Sequence, residues 1–207
     1  MRSKIVLIRH GITTGNVQGL YYGATDVPLA EKGIEMTKLL ASQNFYPDSE
    51  TAEYYTSGML RAEQTFEIVY GDKPHEVIEK FRELNFGDYE MKSYEELNSN
   101  PEYRECCNTF ADGTPPPNGE SIRDFNTRVW QGFEELKVKH ELLMLKLRNQ
   151  RREAMSICVI HGGVICSIMN HLWPDRYVEN FYQWIPDPGH GYVLTMEDGR
   201  VKDYEKF

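Results

Sequence analysis

Two histidines in this chain stand at the same kind of position. His10 follows an apolar run in Arg9-His10-Gly11, and His161 follows another in Ile160-His161-Gly162-Gly163. An imidazole at either place can attack an electrophile or pass a proton near neutral pH. Glycine directly after each lets the backbone come close to a ligand, and a helix start there leaves N–H groups free to hold an anion. Arg9 and Arg61 add charged planar forks that suit phosphate oxygens. Arg61 lies in Ser57-Gly58-Met59-Leu60-Arg61-Ala62-Glu63-Gln64-Thr65 at an expected helix start, where the helix dipole favours anions and gives an arginine no support. A phosphate held between Arg9 and Arg61 would explain its place, and the two cations would keep His10 unprotonated. Glu83, in Phe81-Arg82-Glu83-Leu84-Asn85-Phe86-Gly87, is a carboxylate flanked by apolar residues that can bury and hold a proton. Those cations work against its holding one, and a bound phosphate dianion would restore it.

Each residue also has a plainer reading. A single histidine at a strand end is more often structural, and Arg61 alone reads as a solvated surface charge. What shifts the balance is that both His-Gly pairs end strands feeding one sheet edge, where open α/β sheets bind ligands. Of the other histidines, His140 reads as solvated on a polar helix face, His75 as a loop residue after Pro74, and His190 as a turn residue between two glycines near the pocket. Tyr21, Tyr22, Phe181, Tyr182 and Trp184 could line a cleft, although aromatics more often fill a core.

The elements that must position these residues follow from the pattern. Lys4 to Arg9 and Met155 to Ile160 read as strands buried on both faces; Tyr54-Tyr55 and Val77-Ile78 read as shorter ones. Helices are expected over Glu31 to Gln43, with Ile34, Leu39 and Leu40 in register, and over Met59 to Val69, with Leu60, Phe66 and Val69 inward. A long helix is expected from Ser121 to about Arg148, carrying Ile122, Phe125, Val129, Phe133, Leu136 and Leu143 on one face, and another from Gly162 to about His171. Tyr192 to Met196, Asp198-Gly199 and Arg200 to Tyr204 predict a hairpin with a two-residue turn. The alternation predicts an α/β fold, a three-layer α/β/α sandwich around a mainly parallel sheet. Asn85 to Asn118, acidic, aromatic and holding Pro115-Pro116-Pro117, reads as a small cap inserted into a single domain spanning 1–207.

Composition bounds the partners. The chain has 207 residues, 40% of them hydrophobic and 27% charged, with a formal charge of −9, a globular profile. Such a charge argues against nucleic acid and anionic membrane while leaving room for a small anion at a local cation cluster. No stretch approaches the roughly 20 apolar residues of a membrane span, and the N-terminal apolar run is too short for a signal peptide. The four cysteines form no disulfide framework: Cys158 and Cys166 sit in apolar runs, and Cys106 and Cys107 are adjacent. A reducing, cytoplasmic setting is expected. Composition does not fix the oligomeric state.

The order of motifs resembles the histidine phosphatase superfamily, which includes the cofactor-dependent phosphoglycerate mutases. The resemblance runs from Leu7-Ile8-Arg9-His10-Gly11-Ile12-Thr13-Thr14-Gly15-Asn16 through Gly23-Ala24-Thr25-Asp26-Val27-Pro28-Leu29, Leu60 to Thr65 and Arg82 to Gly87. It continues at Asn118-Gly119-Glu120-Ser121 with Arg128 and ends at His161-Gly162-Gly163-Val164-Ile165. It departs at Tyr89-Glu90-Met91, where Trp-Glu-Gly is common, and at Ile160, where serine is common. The resemblance implies a phosphoglycerate mutase-like fold, His10 as phosphoryl-accepting nucleophile and Glu83 as general acid. It implies Arg9, Arg61 and His161 on the phosphate oxygens, with Asn16, Gly23 and the Gly162 N–H as further contacts, and neither metal nor cofactor. The expected activity is hydrolysis of small phosphorylated metabolites, in the small-phosphatase branch similar to α-ribazole phosphatase. The alternatives are a phosphoglycerate mutase, a metal-dependent hydrolase on His10, His161 and Glu83, and a phospho-ligand-binding module without turnover.

Overall fold

Alternate residues of strand β1 (Ser3–Arg9) face opposite layers, and both layers are apolar. The computed structural model describes residues 2–109, 113–150, 152–176 and 180–207, and in it Ile5 and Leu7 enter one core while Val6 and Ile8 enter another. The strands are β1, β2 (Ala52–Thr56), β3 (His75–Val77), β4 (Met155–Ile160), β5 (Gly191–Glu197) and β6 (Arg200–Lys206), in the order β3-β2-β4-β1-β5-β6. Pairings β3–β2, β2–β4 and β4–β1 are parallel, whereas β1–β5 and β5–β6 are antiparallel. The sheet is mixed, with its parallel part at the site and the expected hairpin on its other flank.

Helices α1 (Thr14–Gln18), α2 (Glu31–Ser42), α3 (Leu60–Tyr70), α4 (Tyr94–Asn98), α5 (Pro101–Thr109), α6 (Ile122–Leu147) and α7 (Gly162–Leu172) complete the fold. α6 and α7 cover one face through Phe125, Val129, Phe133, Leu136, Val164, Ile165 and Ile168. α3 covers the other through Ala62, Phe66 and Tyr70, with Leu40 and Ala41 of α2 against it. The three-layer sandwich expected from the alternation is what forms.

In two helices one residue of the expected apolar stripe is exposed while others of it pack inward. Leu39 is 52% exposed, and the inward side of α2 is Gly33 and Thr37. The reason is close approach: a Cβ on Gly33 would lie 1.9 Å from the Ile12 carbonyl oxygen, so this helix presses its smallest face against the loop after His10. Leu60, expected inward, is exposed at the first residue of α3, while Phe66 is buried as expected. His140 is corrected too: it is fully buried in α6, its ring nitrogens within 2.9 Å of Ser156 Oγ and 2.8 Å of Ser3 Oγ. These hydroxyl partners lie on β4 and β1, a pairing that helical periodicity does not reveal.

The region from Asn85 to Asn118, of which 110–112 lie outside the described residues, holds α4, α5 and a small apolar cluster of Tyr89, Leu97, Tyr103 and Cys106. Backbone bonds tie it to the segment after α1: Tyr21 N–H donates to Lys92 O, and Met91 N–H donates to Tyr21 O at 2.6 Å. All four cysteines are free. Among the described residues no helix is long and apolar enough to cross a membrane.

Candidate active site

Parallel pairing brings the two His-Gly motifs together. Arg9 is in register with Ile160, so His10 and His161 leave adjacent strands at the same edge; His10 N–H donates to Ile160 O. Their rings meet edge to face with centroids 5.2 Å apart. β2 lies on the other side of β4, with Thr56 beside Val159, and this carries Ser57 and then Arg61 of α3 to the same edge. Sequence reasoning named four side chains from three strand ends, and the register delivers them to one place.

His10 is buried, and its Nδ1 is 2.7 Å from the Gly11 carbonyl oxygen. A carbonyl only accepts, so Nδ1 carries the proton and Nε2 is left with a bare lone pair. Burial, then the charges of Arg61 and Arg9, hold the imidazole well below its ordinary pKa. It is therefore neutral at physiological pH, the form a nucleophile needs.

His161 is fully buried, and its partners are Ser57 and Arg61. Its Nε2 is 2.7 Å from Ser57 Oγ, and its Nδ1 accepts from Arg61 Nε at 3.2 Å. An arginine nitrogen can only donate, so Nδ1 is bare and Nε2 donates to Ser57. Both ring nitrogens are engaged, and His161 is not among the residues lining the cavity. It holds Arg61 in place; its own pKa is held well below normal by burial, then by Arg61.

Arg61 is fully buried. Besides His161, its Nη1 donates to Thr25 O at 3.1 Å and its Nη2 to Gly23 O at 2.8 Å. Five N–H donors less these three leave two for a ligand. Gly23, expected as a phosphate contact, acts here instead: its carbonyl grips Arg61 and its N–H goes to Glu90. A Cβ on Gly23 would sit 1.7 Å from Leu84 O, so only glycine fits.

Glu90 organises that loop. Its carboxylate accepts from the N–H groups of Gly23, Ala24, Thr25 and Phe86 at 2.9 to 3.0 Å. Asp26 accepts from Leu60 N–H and so caps α3, whose own N-cap residue Met59 does not. Sequence reading missed both carboxylates in these roles. Asp26 lay inside a quoted motif and Glu90 inside the Tyr89-Glu90-Met91 departure, but a carboxylate whose partners are mostly backbone N–H groups far along the chain leaves no periodic signal. Ser57 was missed likewise, as was Thr65, whose hydroxyl accepts from Gly11 N–H.

The cavity in front of these groups has a volume of ≈ 200 Å³ and is lined by Arg9, His10, Arg61, Glu83, Tyr22 and Gly162, among others. Arg9 donates from Nη1 to Pro186 O at 2.8 Å, and its Nε is buried with no partner. A buried orphan donor on a guanidinium is a place for an anion's oxygen. Tyr22 lies under the Arg61 guanidinium, 5.2 Å from carbon to ring centroid, with its hydroxyl 2.6 Å from Thr13 Oγ1. Asn16 lines the cavity while its side-chain oxygen closes the capping box of α1 with Thr13. Glu83 is half-buried; it accepts from Gly163 N–H at 2.9 Å and Leu84 N–H at 3.0 Å. Glycine at 163 lets Glu83 come this close, since a Cβ there would meet Glu83 Oε1 at 2.4 Å and push the carboxylate aside.

Tyr21, Tyr22, Phe181 and Tyr182 line the cavity, whereas Trp184 belongs to the core. His190 is a turn residue whose carbonyl accepts from Arg9 N–H. His75 is exposed on β3, with Nε2 2.8 Å from Glu63 Oε2.

A neutral imidazole beside the buried guanidinium of Arg61 and the half-buried one of Arg9, with a carboxylate at the rim, lies on the carboxyl edge of an α/β sheet, an arrangement able to hold a phosphoryl group. Residues 5–204 match the model of the histidine phosphatase superfamily (branch 1), and the chain belongs to that family. It is 32% identical over 176 residues to the adenosylcobalamin/alpha-ribazole phosphatase of Escherichia coli strain K12, covering 82% of this chain and 78% of that one. A 2,3-bisphosphoglycerate-dependent phosphoglycerate mutase from Rhizobium etli is 28% identical across 61% of this chain and 64% of its own length. Among solved structures, the alpha-ribazole phosphatase of Shigella flexneri superposes with a TM-score of 0.75 at 26% identity, over 96% of this chain and 93% of that one.

Proposed function

We propose that this protein is a phosphatase of small-metabolite phosphomonoesters, working through a phosphohistidine on His10. The observation that carries the reading is the bare Nε2 of a neutral, buried imidazole at a cavity walled by Arg9 and Arg61. The phosphoryl oxygens are assigned to the two free Arg61 donors, the Arg9 fork with its orphan Nε, and the Gly162 N–H. Asn16 contributes from the rim, and His161 acts through Arg61.

His10 Nε2 attacks phosphorus as the bond to the leaving oxygen breaks, and Glu83 delivers a proton to that oxygen. Water then attacks the phosphohistidine, Glu83 takes its proton, and phosphate leaves. General acid catalysis of this kind is worth about 10²–10⁴ in rate, the rest coming from charge neutralisation and positioning. The 85–118 segment is read as a cap over this site within one domain, and the free cysteines suit the cytoplasm. Among the described residues no group of three His, Cys, Asp or Glu side chains that could hold a metal ion is found.

The test is acid-labile, base-stable phosphate labelling. Wild type takes label from a ³²P-phosphomonoester and passes it to water, while His10→Ala folds but neither labels nor turns over. Isomerisation of 3-phosphoglycerate in the presence of a bisphosphoglycerate primer, without phosphate release, would overturn the phosphatase reading in favour of the mutase.

A further inference from the structure

A second cavity of ≈ 190 Å³ adjoins the first, framed by Tyr21, Phe86, Tyr103, Cys107, Pro116 and Tyr182. Tyr21, Phe86 and Tyr182 line both, so the two share a wall of three aromatic rings. Tyr21 stands edge-on to Phe86 and to Tyr103, with centroids 5.7 and 6.0 Å apart, and its hydroxyl is hydrogen-bonded to that of Tyr103 at 2.8 Å. These walls are fixed against one another. None of the described side chains lining the annex carries a formal charge.

We infer that this annex takes the alcohol portion of the substrate, and that the portion it selects is an uncharged aromatic ring on a short linker from the phosphate-bearing carbon. The inference rests on the proposed phosphatase reading and specifies its substrate class. A pocket of about 150 Å³ accepts a benzene ring, so the annex has room for one ring and its linker. Aromatic walls meet such a ring edge to face. A carboxylate-bearing alcohol would lose its hydration there and meet no cation, which is unfavourable. Binding a remote part of the substrate while the phosphoryl group sits at His10 raises kcat/KM through the transition state.

The experiment uses two alkyl phosphates with leaving groups of similar basicity, 2-phenylethyl phosphate and ethyl phosphate. Wild type is expected to favour the phenylethyl ester on the order of 100-fold in kcat/KM, within reach of a hydrophobic subsite filled by several carbons. Cys107→Glu, at an exposed position, places a carboxylate in the annex and should pull that ratio toward one.

Cys107 also supplies a readout independent of turnover, since it is exposed and the other three cysteines are buried. Saturating phenylethylphosphonate should slow its alkylation by iodoacetamide at least about fivefold, and methylphosphonate should not. Equal kcat/KM for the two esters, or equal alkylation rates with the two phosphonates, would overturn the annex while leaving the phosphatase reading intact. Absence of turnover and of phosphohistidine with every ester would overturn the phosphatase reading, and the alkylation result would still decide the annex.

Discussion

Glu83 reaches the wall of the cavity because Gly163 has no side chain to keep it away. A methyl group there would overlap Glu83 Oε1, and the carboxylate, bonded to the Gly163 and Leu84 N–H groups, would have to move. A shift of about 1 Å in a reacting group costs on the order of 100-fold in rate. Gly163→Ala is therefore expected to lower kcat/KM for an alkyl phosphate by about that factor. The loss should be smaller for p-nitrophenyl phosphate, whose leaving group departs without a proton. Equal losses on the two substrates would take the acid role away from Glu83. The same residue-scale logic separates the two histidines. In each ring Nδ1 meets a partner that can only accept, the Gly11 carbonyl, or only donate, the Arg61 guanidinium, and the result is one imidazole with a free lone pair and one with none.

Arg61 is only as well placed as the loop that grips it. Glu90 gathers four backbone N–H groups, those of residues 23–25 among them, and the carbonyls of Gly23 and Thr25 then hold the guanidinium. Burial pushes the Glu90 carboxyl up, and hydrogen bonds from Thr25, Gly23 and Phe86 together hold it below its ordinary pKa. Glu90→Gln, keeping one acceptor oxygen of two, should cost about 2 kcal/mol in stability and lower kcat as Arg61 loosens. Paired urea melts and steady-state assays check both effects, and unchanged values in both would detach the loop from the site. The next residue carries strain. Met91 has φ 60°, the left-handed region, and among the described residues the other non-glycine ones with positive φ are Asn44, Asn118 and Asp198, whose short polar side chains tolerate it. Left-handed backbone costs an ordinary residue roughly 1–2 kcal/mol, and glycine gives back part of that as unfolded-chain entropy. Met91→Gly should accordingly raise stability by about 0.5–1 kcal/mol in the same melts, whereas Met91→Val lowers it.

That position also shows what was legible in the sequence. The departure from Trp-Glu-Gly at 89–91 was visible, but its meaning, a methionine in glycine's conformation, needed the backbone. Strands β1 and β4 and helix α6 were readable because their apolar patterns are long and periodic. The inward face of α2 was not, because Gly33 and Thr37 are chosen for closeness and not for burial of area. His10, Arg61 and Glu83 were readable as chemistry, while His161's place behind Arg61 depended on a neighbour, Ser57, brought in by strand register.

Across the whole molecule, three of the histidines are buried with lowered pKa values: His10, His161 and His140. Only His140 stands apart from the cavity, tying α6 to β1 and β4 through Ser3 and Ser156, and burial lowers it to about 4. The unfolded chain binds a proton at this side chain below about pH 6.5, while the folded chain refuses it until about pH 4. Its contribution is therefore fully present above pH 6.5 and is lost as the pH falls toward 4. Between pH 7 and pH 5 the loss from this group amounts to about 2 kcal/mol. His10 and His161 act in the same direction, so the stability of the wild type should fall steeply on acidification. His140→Gln keeps hydrogen-bonding capacity toward the two serines and removes the titration. Urea midpoints taken from pH 7.5 to 4.5 should show the variant less stable at the neutral end and shallower in its decline, by about 2 kcal/mol over that interval. Parallel curves for the two proteins would mean that His140 accepts its proton in the folded state as readily as in the unfolded one.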